Sequence, residues 1–226
     1  MTRGGAERWV RPLAPGERRL FIAVPLGDDA REAVAGLMTD LGAPPDGGRS
    51  PDPAAPPSAR LRWVRSTNLH LTLRFLGATA AASMPALEAA VDRTGRDSAP
   101  FEARLAGAGA FPSPARPRAI FLQVGEGAAR LAALADRLAA ELAQGGWPPG
   151  ERPFAAHLTL ARSDGVPGAS LAVEALVAAA AWLDAAWTVD RIVLFESLLG
   201  GGPARYVPLR TAPLDGGALR DPGRTL

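Results

Sequence analysis

The apolar run Leu20-Phe21-Ile22-Ala23-Val24 follows a charged Arg18-Arg19 pair and stops at Pro25. Its length and composition predict a buried strand. Asp28 or Asp29 is placed to cap a helix that runs to about Asp40, with Ala33, Val34, Leu37, Met38 and Leu41 on its apolar side. Residues 42–60 are rich in proline, glycine and serine, which predicts a flexible loop without a packing face of its own. Strict alternation resumes over Arg62–Leu76. Leu69, Leu71, Leu73 and Phe75 fall on one side of the predicted strand, and His70, Thr72 and Arg74 on the other. A helix near Ser83–Thr94 and strands at Phe101–Ala110 and Ala119–Val124 follow, the two strands joined by the turn FPSPARPR.

The second half is expected to repeat this layout. Leu131, Leu134, Leu138 and Leu142 recur at helical spacing within 127–144, and Gly145-Gly146 ends that helix. A strand over Phe154–Arg162, an Ala-rich helix near 170–182, a strand at Thr188–Ser197, a glycine turn at 200–202 and a strand at Tyr206–Thr211 complete the order. Residues 1–18 and 215–226 are expected to be flexible ends, and 19–214 a single domain.

Composition removes several functions. The chain has 226 residues, 47% of them hydrophobic, enough for a substantial core. It contains no cysteine, which excludes disulfides, thiolate nucleophiles and cysteine-ligated metals. Every basic residue is arginine and the net charge is only +2, so the isoelectric point of 10.2 reflects an absence of groups titrating in between. The N-terminal residues carry no apolar signal region and no apolar run is long enough to span a bilayer, so a soluble cytoplasmic protein, away from membranes, is expected.

The chemistry concentrates in two strings, His70-Leu71-Thr72-Leu73 and His157-Leu158-Thr159-Leu160, which hold the only two histidines. In a strand, residues two apart project together, so each string presents one imidazole and one hydroxyl while its leucines enter the core. Imidazole titrates near neutrality and can serve as proton donor or acceptor, and a threonine hydroxyl can donate to an anionic oxygen. Two such units facing one another suit in-line displacement at a phosphodiester, and Arg162 is a candidate phosphate contact. One HLTL string alone is an ordinary half-exposed strand; both histidines occupying the same string is not. Neither motif has a carboxylate beside it, with Asp164 and Asp190 reading as loop and strand-edge residues, so no metal and no cofactor is expected. No Gly-x-Ser-x-Gly elbow is present for a serine nucleophile.

The paired strings HLTLRFLG and HLTLAR, with RLFIAVPL near the start, WVRSTN before the first motif, RPFAA before the second and VDRIVLFESLL then ARYVPLRTAPL near the end, resemble the two-histidine phosphoesterase superfamily, RNA 2′,3′-cyclic phosphodiesterase branch, also called 2′–5′ RNA ligase. The resemblance runs from about Arg19 to Leu214. It implies an α+β fold of two pseudo-symmetric lobes, each an antiparallel-rich sheet with flanking helices, around a central cleft. It also implies metal-independent opening of RNA 2′,3′-cyclic phosphate ends to 2′-phosphates, with 2′–5′ ligation as the reverse reaction. Carried onto this chain, His70 is the general acid and His157 the general base, with Thr72, Thr159 and Arg162 on the phosphate. Phe154, Arg74 and Tyr206 are further candidates for contacting substrate, Phe154 or Phe75 by stacking on a base. The expected partners are RNA ends carrying a cyclic phosphate, met by a monomer. Ala155-Ala156 stands where the family commonly has a proline before the second histidine, and the 42–60 segment is longer than the resemblance implies. Phosphodiesterase action on small cyclic nucleotides or 2′–5′ oligonucleotides, and a non-enzymatic RNA-end binding module, are the alternative readings.

Overall fold

A computed structural model describes residues 12–50, 52, 54–56, 58, 60–150, 153–163, 167–200 and 204–216. Most of the expected flexible ends, the tip of the glycine turn at 200–202, and Asp164 lie outside the described residues.

The strands are β1 (Glu17–Pro25), β2 (Arg62–Trp63), β3 (His70–Ala80), β4 (Phe101–Phe111), β5 (Ala119–Val124), β6 (His157–Arg162), β7 (Ala186–Val189), β8 (Arg191–Leu198) and β9 (Arg205–Pro213). The helices are α1 (Asp28–Asp40), α2 (Met84–Arg96), α3 (Ala128–Gln144) and α4 (Ala169–Ala180). Gly27, not an aspartate, occupies the cap of α1; Asp28 and Asp29 lie in its first turn, where negative charge favours the helix dipole.

Two antiparallel sheets result, in the orders β3-β1-β8-β9 and β2-β6-β5-β4-β7. The α+β, two-lobed class expected from the resemblance is the observed one. Its lobes are not the two halves of the chain, however. The first unit, β1-α1-β3-α2, passes β4 to the other sheet, beside β5. The second unit, β5-α3-β6-α4, returns β8 to the first sheet, beside β1. Each motif strand is thereby held in a sheet built from both halves of the chain. One hydrophobic cluster takes in residues of both sheets and all four helices, including Leu20, Val34, Leu87, Leu131, Leu158 and Leu176.

The predicted strand over 62–76 is interrupted. A single 3₁₀ turn at Ser66–Asn68 separates β2 from β3 and sends the two pieces into different sheets. The described part of 42–60 is also not a free loop. Gly48 bridges to Trp63 through paired backbone hydrogen bonds, the Trp63 indole donates to the Ser58 carbonyl at 2.9 Å, and Arg65 donates to the Asp46 carbonyl at 3.1 Å. Trp63, 3% exposed, supplies the packing face that the segment itself lacks. Among the described residues no helix is long and apolar enough to cross a membrane.

Candidate active site

Both motif strands carry the same irregularity. In β3, Ile22 pairs with Arg74 but Ala23 with Thr72, so Leu73 is an extra residue. In β6, Ile120 pairs with Ala161 but Phe121 with Thr159, so Leu160 is extra. A bulge one residue beyond the motif threonine reverses the alternation that follows it. Leu160 and Ala161 are both fully buried, and Arg162 emerges on the side of His157 and Thr159.

The equivalent reversal in β3 corrects two expectations. Arg74 does not share a face with His70 and Thr72; it donates to the Pro148 carbonyl, beyond the end of helix α3, which packs against β3. Phe75 leaves the leucine face and stands 56% exposed, its ring 6.4 Å from that of Phe21. Positions five residues after each histidine therefore match structurally but differ chemically, an aromatic ring in one sheet and a guanidinium in the other.

Strands β3 and β6 lie against each other where the two sheets meet, and His70 is near enough to His157 to feel its charge. Each ring is pinned in the same way. His70 Nδ1 lies 2.6 Å from the Asn68 carbonyl oxygen, and His157 Nδ1 lies 2.7 Å from that of Ala155. A carbonyl only accepts, so Nδ1 carries a proton in both rings and Nε2 is left for chemistry. Ala155-Ala156 thus still delivers the carbonyl that orients His157. His70 Nε2 lies 3.0 Å from Thr72 Oγ1, whose hydroxyl donates to the neutral ring.

The two environments differ. His70 is packed by Phe21 at 4.9 Å, Tyr206 at 5.2 Å edge-on and Phe195 at 6.4 Å. Burial among these rings lowers its pKa to about 4; the Asn68 hydrogen bond opposes the shift and the nearby charge of His157 adds to it. Around His157, Phe111 stands at 5.1 Å and Phe121 at 5.2 Å, both edge-on.

Tyr206 and Arg162 come from opposite sheets, close enough for the arginine charge to act on the phenol. Burial raises the Tyr206 pKa, while the positive charges of Arg162 and then Arg62 oppose that rise. The phenol is consequently a neutral hydrogen-bond donor at physiological pH. Arg62 is the cross-strand partner of Arg162, and it was not singled out in the sequence because nothing in the string Arg60-Leu61-Arg62 marks one arginine over the other. Among the described residues Arg162 has no carboxylate partner. Phe154 is partly buried and packs against the core. Among the described residues it is not one of the rings packed around either histidine. Phe21, Phe195, Phe121 and Phe111 hold those places instead. Among the described residues no group of three or more His, Asp or Glu is placed to hold a metal ion.

Residues 50–201 match the family model described as the 2′-5′ RNA ligase superfamily. A protein from Methanothermobacter thermautotrophicus named RNA 2′,3′-cyclic phosphodiesterase is 33% identical over 147 residues, 65% of this chain and 72% of that one. The protein of the same name from Escherichia coli is 29% identical over 193 residues, covering 85% of this chain and 94% of that one. Three other relatives of that name are matched over 54–58% of their own length. Among solved structures, E. coli LigT complexed with 3′-AMP superposes with a TM-score of 0.63 at 28% identity, over 88% of this chain and 98% of that one.

Proposed function

The chain belongs to the 2′-5′ RNA ligase superfamily, and we propose that it opens 2′,3′-cyclic phosphates at RNA ends to 2′-phosphates by metal-independent acid–base catalysis. The observation that carries this reading is the approach of two imidazoles, one from each sheet, both held at Nδ1 by a backbone carbonyl so that Nε2 is the atom left for proton transfer. The working unit is the two-sheet body between about residues 19 and 214, since the sheet of each motif strand draws strands from both halves of the chain.

His157 Nε2, unprotonated, takes a proton from water as the water oxygen attacks phosphorus. The bond from phosphorus to O3′ breaks, and protonated His70 delivers the Nε2 proton to the departing O3′, leaving the phosphate on O2′. His70 is neutral in the free protein, with a pKa of about 4. An anionic phosphodiester beside it favours the imidazolium and so loads the acid as substrate arrives. That proton has a second effect: a protonated Nε2 no longer accepts from Thr72, and the hydroxyl turns to a non-bridging phosphate oxygen. Thr159 and the guanidinium of Arg162 serve the other oxygens, where paired charge-assisted hydrogen bonds are strongest. Phe75, exposed at the His70 side, offers a ring to the terminal base. Single-stranded RNA ends are the substrate class suited to an aromatic-lined cleft with so small a net charge.

The test is an oligonucleotide ending in a 2′,3′-cyclic phosphate, incubated with EDTA, with the product monoester mapped by position. A 2′-phosphate formed in EDTA is expected. A 3′-phosphate would overturn the leaving-group assignment, and loss of activity restored by zinc or manganese would overturn the metal-independent route.

A further inference from the structure

Phe111 closes strand β4, 43% exposed and beside His157. Its ring rests 4.4 Å from Phe121 and meets His157 edge-on at 5.1 Å and 84°. Phe121 beneath it is 6% exposed and lies over Gly109, where a Cβ would come within 3.0 Å of the Phe121 ring. Phe111 is therefore an exposed aromatic with a rigid backing, on the His157 side. Phe21, Phe75, Phe195 and Tyr206 all gather on the His70 side.

In-line displacement puts the entering and departing oxygens on opposite sides of phosphorus. With His70 serving the departing O3′, the terminal nucleoside belongs with the His70 rings, and His157 serves whatever enters. Water needs no aromatic platform. A nucleoside entering through its 5′-hydroxyl does, because the π-face of its base is the largest apolar surface it offers.

We propose that Phe111 is the base platform of a second nucleoside subsite, for the RNA strand whose 5′-hydroxyl replaces water. This rests on the cyclic-phosphodiesterase reading above. In that step His157 takes the proton of the 5′-hydroxyl, a bond forms from O5′ to phosphorus, the bond to O3′ breaks, and His70 protonates O3′. The product is a 2′–5′ linkage, and cleavage of a 2′–5′ linkage to cyclic phosphate and 5′-hydroxyl is the same step reversed. Phe111 thus sets the partition between an incoming strand and water.

The experiment measures two reactions side by side for the wild type, Phe111→Ala and Phe111→Trp: hydrolysis of a cyclic-phosphate-ended oligonucleotide, and cleavage of a 2′–5′-linked dinucleotide. Loss of one stacked base is expected to lower the ratio of dinucleotide cleavage to cyclic hydrolysis by about tenfold or more in Phe111→Ala, chiefly through KM, with Phe111→Trp restoring it. An unchanged ratio, whether the two rates fall together or both persist, overturns the platform. A wild type inactive on cyclic ends overturns the function on which the inference rests, and is distinguishable because it needs no variant.

Discussion

Asn68 holds His70 twice over. Its carbonyl accepts the Nδ1 proton at 2.6 Å, and its side-chain amide donates to the Ala204 carbonyl at 2.6 Å, tying the short 3₁₀ turn before β3 to the segment that leads into β9 and Tyr206. The residue that fixes the tautomer is thus itself fixed by the strand that supplies the phenol. Asn68→Ala keeps the carbonyl and loses the tie. It should cost about 1 kcal/mol of stability. It should also lower kcat more than it raises KM, with a mixture of His70 tautomers visible by nitrogen NMR. A kcat equal to that of the wild type would show that the tie does not position the ring.

His70 should titrate near pH 4 in the free protein. The unfolded chain takes up that proton near pH 6.5, so between about pH 6.5 and 4 the unfolded state binds more protons and stability falls as pH is lowered. His70→Gln should flatten the slope of denaturant stability against pH in that window. Binding a nucleoside 2′-phosphate should move the His70 titration upward, and its affinity should weaken as pH rises through the shifted value. Proton NMR of the ring follows both; a His70 titrating near 6.5 in the free protein would contradict the burial argument.

Arg162→Ala should lower kcat/KM by about ten- to a hundredfold, the loss expected for charge-assisted hydrogen bonds. Arg162→Lys should recover only part, because an ammonium cannot supply the planar paired contact. Steady-state kinetics on a cyclic-phosphate-ended oligonucleotide decides it.

Arg74→Ala should behave oppositely. The bulge at Leu73 turns this arginine to the Pro148 carbonyl, so thermal unfolding should register a loss of about 1 kcal/mol while kcat/KM stays within about twofold. A large kinetic loss at unchanged stability would put Arg74 back in the cleft.

That pair of arginines also marks how far the sequence could be read. His70, Thr72, His157 and Thr159 were legible because period-two alternation holds up to each threonine. The bulges at Leu73 and Leu160 come from strand pairing, which no local pattern announces, and they decide that Arg162 emerges on the face of His157 while Arg74 leaves that of His70. Phe21 was legible as core but not as a wall of the His70 pocket, since every residue of its strand is apolar. The exchange of β4 and β8 between sheets was hidden for a similar reason: neither strand's own pattern names its partner, which is set by tertiary packing. Phe154, which the sequence leaves open between base stacking and core, packs against the core, because adjacency to a motif does not fix the face on which a side chain emerges.

The central claim is that two imidazoles act on one phosphorus. A double-mutant cycle tests it most directly, with His70→Ala, His157→Ala and the double variant assayed on a cyclic-phosphate-ended oligonucleotide in EDTA. Each single change should cost about 10²- to 10⁴-fold in kcat. The double variant should be little slower than the worse single, as for residues that act as a unit. Losses that multiply in full, or one histidine whose removal leaves kcat intact, would contradict a shared site.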